Sequence, residues 1–425
     1  MFRFVHASDL HLGAAFGSAM GGFPEDAVKT MRQSPYRAFD RVIDAAIDSE
    51  AAFVVLAGDL CNRADGGIKP ELALRTGARR LADAGIRTFA VYGNHDYLAP
   101  GRPDLDWPDR AHVFPVSEAE PVVVQIDGED RAYLFGLSYG RADERTNLAA
   151  RYPVPPAELF SVGILHAACG PVSGHATYAP CTPEDLASRG YDYWALGHVH
   201  SEQVLRDFEP MIAYAGNTQS LNPNETGPRG CRIVTVADDG SISAEFRETD
   251  VVRRFLVTVD IGPLQREQDL LDTLEQKMKE SARDRGSAEA CVLRFRLAGR
   301  GPLHRFLAQP DHVRDLREHL GEAGTSYTTP VWIEAIKVET RPDIDLDARR
   351  GAEDFLGEFL RLANAVASDP EGLANARKML TDQMKPEHAR LLAQLGPGLV
   401  SEDALHRYLQ AAEVLGADHL LSADD

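Results

Sequence analysis

The sequence predicts an α/β protein: a β-sandwich flanked by helices, then a small β-α-β-α-β domain, then C-terminal helices. Three observations carry this. Short runs dense in β-branched and aromatic residues, such as 2–7, 53–57 and 86–91, have the length and continuity of strands buried on both faces. Helical apolar spacing separates these early strands, which is the rhythm of central strands joined by crossovers. After about residue 250 the same rhythm restarts on a smaller scale. The expected domains are residues 1–250, 251–340 and 341–425.

Residues 2–7 form the first strand and end in Ser8-Asp9-Leu10-His11. Asp9 and His11 are two apart, so in an extended chain a carboxylate and an imidazole point to the same side. Residues 12–33 are rich in glycine and small residues and read as an irregular insertion. Ser34-Pro35 then reads as a helix N-cap with proline in the first turn, ahead of an apolar stripe of Phe39, Val42, Ile43, Ala46 and Ile47. The second strand, 53–57, ends in Gly58-Asp59-Leu60-Cys61-Asn62. A helix over about 71–84 leads to the strand at 86–91, which ends in Gly93-Asn94-His95-Asp96.

A loop rich in proline and aspartate follows Tyr97 to about residue 109. Alternating strands are expected at 121–126 and 131–137. The run 161–165 ends in His166, and 192–196 ends in Gly197-His198-Val199-His200. Strands beyond it, through Gly216-Asn217 and the turn 222–228 to 231–236 and 242–248, are expected to build the second sheet of the sandwich. In the next domain strands at 255–261, 290–297 and 331–339 alternate with helices at 265–283 and 311–320, without clustered ligand types. From Arg341 the chain turns acidic and helical, with apolar spacing at Phe355, Phe359, Leu360 and Leu362 and again at Leu391, Leu392 and Leu395.

The net charge of −20 disfavours indiscriminate polyanion binding, unless bound cations supply a local positive field. Five cysteines without a CxxC pair argue against a zinc ribbon and for reduced thiols, so a cytoplasmic location is expected. No apolar run is long enough to span a membrane, and the first residues lack a signal-peptide layout.

Ligand-type residues collect at five strand ends: Asp9, His11, Asp59, Asn94, His95, His166, His198 and His200. Two carboxylates, one carboxamide and four imidazoles, without thiolate, suit manganese, iron(II) or zinc. Seven ligands are too many for one ion but serve two if one carboxylate bridges. Two divalent ions bring +4 and the carboxylates return −2, leaving the positive charge that a phosphate diester needs. His95 adds an imidazole that can act as an acid near neutral pH.

As a set, Asp9-x-His11, Gly58-Asp59, Gly93-Asn94-His95-Asp96, His166 and Gly197-His198-Val199-His200 resemble the five motifs of the calcineurin-like metallophosphoesterases over about residues 1–250. Residues 192–200, with Gly216-Asn217 and Asn224-Glu225-Thr226-Gly227-Pro228, resemble the SbcD/YhaO-type DNA repair exonucleases. These are relatives of the nuclease subunit of the meiotic recombination complex. The resemblance implies a metallophosphoesterase sandwich followed by a capping domain at 251–340. It implies one metal on Asp9, His11, Asp59 and His200, with Asp59 bridging to a second on Asn94, His166 and His198.

Under the same resemblance His95 protonates the leaving 3′-oxygen and Asp96 orients its neighbours. Asn62 stands where relatives often carry an aspartate or histidine that supports the catalytic histidine, so it is expected beside His95. The implied cofactors are two divalent ions, manganese foremost. The implied partners are DNA, an SbcC-like ATPase of the structural-maintenance type docking on the C-terminal helices, and a second copy of the chain in a homodimer. A small-nucleotide phosphodiesterase or phosphatase, or a DNA-tethering subunit with minor catalysis, are the competing readings. The capping-like module favours the nuclease.

Overall fold

In the computed structural model the described residues are 1–16, 22–62, 67–98, 106–171, 176–382 and 401–422. The elements run β1 (Phe2–Ala7), α1 (Glu25–Asp48), β2 (Phe53–Ala57), α2 (Lys69–Asp83), β3 (Arg87–Val91), β4 (Ala111–Val113), β5 (Val122–Ile126), β6 (Glu129–Leu137), β7 (Phe160–His166), α3 (Pro183–Ala187) and β8 (Tyr193–Gly197). They continue with β9 (Gln203–Arg206), β10 (Met211–Tyr214), β11 (Gly230–Val236), β12 (Ile242–Glu248), β13 (Val252–Asp260), α4 (Glu267–Arg283), β14 (Ala290–Arg300), α5 (His304–Leu307), α6 (Pro310–Thr325) and β15 (Val331–Arg341). Last come α7 (Leu346–Arg350), α8 (Phe355–Ser368), α9 (Pro370–Asp382) and α10 (Glu402–Ser422). Leu391, Leu392 and Leu395 lie outside the described residues.

Two six-stranded sheets make the sandwich, in orders β12-β11-β1-β2-β3-β4 and β5-β6-β7-β8-β10-β9. Alternation explains why the strands are apolar throughout. Phe4, Phe53, Val55, Phe89 and Val91 of the first sheet meet Leu134, Val162, Ile164, Tyr193 and Ala195 of the second between the layers. Their sequence neighbours Val5, Val54, Leu56 and Ala90 face outward under α1 and α2, and Leu165, Trp194 and Leu196 pack into the other outer core.

Two expectations are overturned. The strands near 231–236 and 242–248 were assigned to the second sheet, yet β11 pairs antiparallel with β1, Phe2 opposite Val236, and extends the first sheet. The free edge of β1 opposite β2 takes them. The irregular insertion expected at 12–33 is helical from Glu25, and Pro35 lies inside α1 rather than in its first turn. Burial decides this: Ala27 and Met31 pack with Val251, Val252, Ala290, Val292 and Trp332. Proline cannot donate to the carbonyl of Met31 four residues back, and Ser34 Oγ donates to it instead, at 2.8 Å. Strands β4 and β9, three and four residues long, are too short to leave a periodic signal.

By packing, the chain forms two compact units. One comprises Met1–Val257, Leu274–Phe295 and Arg317–Ile336; the other comprises Thr258–Thr273, Arg296–Leu316 and Lys337–Asp425. The sandwich lies in the first. In the second, Leu356 and Leu360 of α8 bury against Ala417 of α10. The strands of the small module order as β13-β14-β15. None of the described helices is long and apolar enough to cross a membrane.

The two sheets approach closely at Gly197, where a Cβ would stand 2.0 Å from the Ala57 carbonyl oxygen. Gly197→Ala is therefore expected to cost about 3 kcal/mol through overpacking against rigid backbone. Urea unfolding checks it; a variant within 0.5 kcal/mol, roughly the surface-substitution range, would refute the close approach.

Candidate metal centre

Parallel pairing brings the ligand-bearing strand ends together. Ala7 of β1 is level with Leu56 of β2, Ala57 with Val91 of β3, and His166 of β7 with Gly197 of β8. Beyond β1 and β2 the chains stay laddered: Asp9 N–H donates to Gly58 O, His11 N–H to Asp59 O, and Asn62 N–H to Leu12 O. Asp9, His11, Asp59 and His198 all have positive φ, 52°, 44°, 50° and 103°, a conformation non-glycine residues rarely adopt. At Gly93 a Cβ would lie 2.3 Å from Asp59 Oδ1, so only glycine leaves room for that carboxylate.

The side chains converge in three overlapping groups, Asp9-His11-His200, His11-Asp59-His95 and Asp9-Asp59-His166, each with donor atoms within 4.8 Å of one another. Asp59 Oδ2 lies 3.4 Å from His166 Nε2 and 3.7 Å from His11 Nε2. Asn94 Oδ1 is 3.2 Å from His166 Nε2. The His198 ring stands 5.2 Å from that of His166, and its backbone N–H donates to both Asp9 oxygens. Each sequence-predicted ligand is thus in one place, buried or half-buried.

The outer nitrogens of the imidazoles are already spoken for. His11 Nδ1 meets Asn62 Oδ1 at 2.9 Å, His166 Nδ1 meets Ala57 O at 3.0 Å, and His200 Nδ1 meets Glu225 Oε1 at 2.7 Å. His198 Nε2 meets Ala176 O at 2.7 Å. With a cation bound, each acceptor oxygen would keep the proton on the nitrogen it faces and leave the opposite nitrogen as the donor to the metal. His11 Nε2 and His200 Nε2 face each other at 3.1 Å, beside two carboxylates. Imidazoles and carboxylates so placed suit a divalent cation. The donors fit two divalent ions.

Asp96 lies under the two loops rather than among the metal-ligand groups. Its buried carboxylate accepts from Gly93 N–H at 2.7 Å, Leu60 N–H at 2.6 Å and Cys61 N–H at 3.2 Å, tying the β3 loop to the β2 loop. Asn62 makes its side-chain hydrogen bond to His11, through its carboxamide oxygen, where the resemblance implies support for His95; the ladder between the 9–12 and 58–62 segments brings the two together. His95 is exposed at the rim, its ring 4.8 Å from that of His11 and its backbone N–H on Asp59 Oδ1.

Residues 2–202 match the family described as calcineurin-like phosphoesterase, and residues 255–341 match metallophosphoesterase YhaO, middle domain. The uncharacterized metallophosphoesterase YhaO of Bacillus subtilis is 33% identical over 343 residues, covering 81% of this chain and 83% of that one. The chain belongs to the calcineurin-like metallophosphoesterases, in their YhaO-type branch. It is a metal-dependent hydrolase. This metallophosphoesterase is also similar to the DNA double-strand break repair protein Mre11 of Halobacterium salinarum, 28% identical over 298 residues, covering 67% of this chain and 68% of that one. The Mre11 protein of Haloferax volcanii is 27% identical, covering 61% and 53%.

Electrostatics in the metallophosphoesterase centre couple its carboxylates to its imidazoles. Burial opposes the charge on Asp59, yet the surrounding His166 and His11 hold its carboxyl well below the usual range. Burial likewise opposes a proton on His166, and Asp59 more than reverses this, pushing it up to about 9. His198 is pushed down to about 4 by burial and by His166, and burial lowers His11, so both are neutral donors near pH 7.

Sequence reasoning missed the role of Glu225. Its buried carboxylate orients His200 and is itself held by Asn217 Nδ2 at 2.9 Å and Leu221 N–H at 2.6 Å. Arg229 Nη1 braces the same strand end by donating to His200 O. The signal lies in the turn 222–228, whose resemblance to the exonucleases assigns Glu225 no role. Burial alone would raise the Glu225 pKa; the bonds from His200, Leu221 and Asn217 bring it down to about 2, against an ordinary 4.5. Its stabilising contribution is therefore full above about pH 4.5 and is lost as pH falls toward 2. Glu225→Gln is expected to flatten this acid limb in urea unfolding of the metal-free protein. It should also weaken manganese binding by about 10- to 100-fold, read by calorimetric titration. Unchanged affinity would contradict the orienting role.

Proposed function

We propose that this metallophosphoesterase is a DNA nuclease that hydrolyses phosphodiester bonds during repair, in the cytoplasm, with an SbcC-like ATPase. One observation carries the choice of DNA over small nucleotides: the likeness to the Halobacterium Mre11 protein extends over 298 residues, well beyond the phosphoesterase match at 2–202. A second copy of the chain is the homotypic partner this reading calls for.

The roles in this reading are those the resemblance implies. Asp9, His11, Asp59 and His200 would hold one divalent ion, and Asp59, Asn94, His166 and His198 the other. Bound ions supply positive charge for the phosphoryl oxygens and lower the pKa of water. Manganese is the proposed ion, because four imidazoles suit it better than magnesium, which prefers oxygen and water. His95 does what the buried imidazoles cannot. Its ring is solvent-accessible at the edge of the centre, while its backbone is pinned to Asp59, so it can deliver a proton to the departing 3′-oxygen. Asp96, with three backbone N–H groups on its carboxylate, keeps the His95 loop rigid.

His95→Ala is expected to keep both manganese ions, counted by metal analysis, while cleavage of labelled linear duplex DNA falls by about 10²–10⁴-fold. A variant that is inactive and also metal-free would remove the acid assignment. Wild-type rates in magnesium equal to those in manganese would remove the proposed ion.

The C-terminal helices are the proposed seat of the ATPase. Phe355 and Leu362 of α8 and Met379 of α9 are exposed, as is Tyr408 of α10. Removal of the residues after Asp347 is expected to abolish co-purification with the ATPase and leave hydrolysis of bis(p-nitrophenyl) phosphate measurable. Unchanged partner affinity after truncation would place the dock elsewhere.

A further inference from the structure

The rim of the centre beside His198 carries a feature that neither the metal ligands nor His95 require. The Tyr178 ring lies 5.8 Å from the His198 ring, at an interplanar angle of 62°. Arg145 lies over Tyr178, its guanidinium carbon 5.2 Å from the ring centroid. The Arg145 side chain is nonetheless 59% exposed, so its surface away from Tyr178 is open to solvent.

This exposed cation is held in place from two edges. Arg145 Nη1 donates to Thr177 O at 3.2 Å, and its Nε pairs with Asp143. The loop that carries it is also fixed. The Glu144 carboxylate accepts from Arg141 Nε at 3.2 Å and Nη2 at 3.0 Å, from Thr146 N–H at 2.9 Å and from Thr146 Oγ1 at 2.6 Å. Glu144 O in turn accepts from Ala179 N–H at 2.8 Å, which joins this loop to the segment bearing Tyr178. Four contacts on one largely buried carboxylate are more than a solvated surface turn needs. They fix the loop that carries Arg145, and Thr177 O, Asp143 and the Tyr178 ring place its guanidinium before any ligand arrives.

We infer that Tyr178 and Arg145 form a stacking platform for the unpaired base next to the scissile phosphate of a nucleic-acid strand. The inference rests on the nuclease reading above and narrows its substrate to a strand whose terminal nucleotides are single-stranded. Guanidinium planes and aromatic rings are the usual surfaces on which unpaired bases lie. Asp143 offsets the charge of Arg145 at its edge, so the exposed face offers a stacking plane more than a phosphate contact. Tyr178 sets the platform against the His198 side of the centre, 5.8 Å from that ring.

The test uses the full-length, manganese-loaded protein with two substrates, bis(p-nitrophenyl) phosphate and a labelled single-stranded oligonucleotide. The oligonucleotide is made intact or with abasic residues at its terminal positions. Arg145→Ala and Tyr178→Ala are expected to raise the oligonucleotide KM by about 10- to 100-fold more than that of the aryl ester, with manganese stoichiometry retained. Tyr178→Phe, which keeps the ring, should behave as the wild type. The wild type should lose the same factor on the abasic strand, where Arg145→Ala should show no further loss. Equal losses on both substrates would mean that the pair acts only through His198, and would overturn the platform. So would an abasic penalty that persists in Arg145→Ala, or a salt dependence that falls by about one phosphate contact in that variant. Wild-type hydrolysis of the aryl ester without cleavage of any DNA would instead overturn the nuclease reading, and the platform with it.

Discussion

The carbonyl oxygen of Ala57 is the point on which the centre depends. It ends β2, accepts from His166 Nδ1 of the opposite sheet, and lies against Gly197 at the end of β8. This single acceptor joins the two layers, fixes the proton of His166 on the outer nitrogen, and sets the spacing between strand ends of different sheets. The apolar layer between the sheets supplies the adhesion, but it would tolerate small slips. A hydrogen bond against a residue without a Cβ does not.

The same logic recurs at each histidine. A backbone carbonyl, a carboxamide or a carboxylate holds the outer nitrogen, and the inner nitrogens are turned on one another and on Asp9 and Asp59. The fold therefore gathers metal-ligand types at one spot and relies on the surrounding ladder to keep them there. On a chain of net charge −20 this is how a local demand for cations is built, independent of the average sign of the surface.

Much of this was legible in the sequence because parallel strands deliver their last residues to a common edge, so ligand types at consecutive strand ends could be collected without knowing the topology. Asp9, His11, Asp59, Asn94, His166, His198 and His200 meet on those grounds. What was not legible depends on contacts remote in the chain. Asn62 was placed by its offset from Asp59, but which ring it reaches is set by the ladder between two loops some fifty residues apart. Glu225 lies in a turn whose composition is explained by turn chemistry alone, and only the approach of His200 gives it a second role. The start of α1 differs from the sequence reading because Ser34-Pro35 is a strong local start signal, whereas the burial that extends the helix ahead of it comes from residues beyond 250. The edge position of β11 could not be read because apolar runs carry no record of which neighbour they pair with.

The left-handed backbone at Asp9, His11, Asp59 and His198 has an evolutionary corollary. Each such residue stores strain on the order of 1 kcal/mol, and glycine would release it. Drift without selection for chemistry would then run toward glycine at these four positions and yield a tougher, inert sandwich. All four side chains are carried here at a cost in stability. In a degenerating copy of this fold, the first sign of lost activity would be a rise in melting temperature.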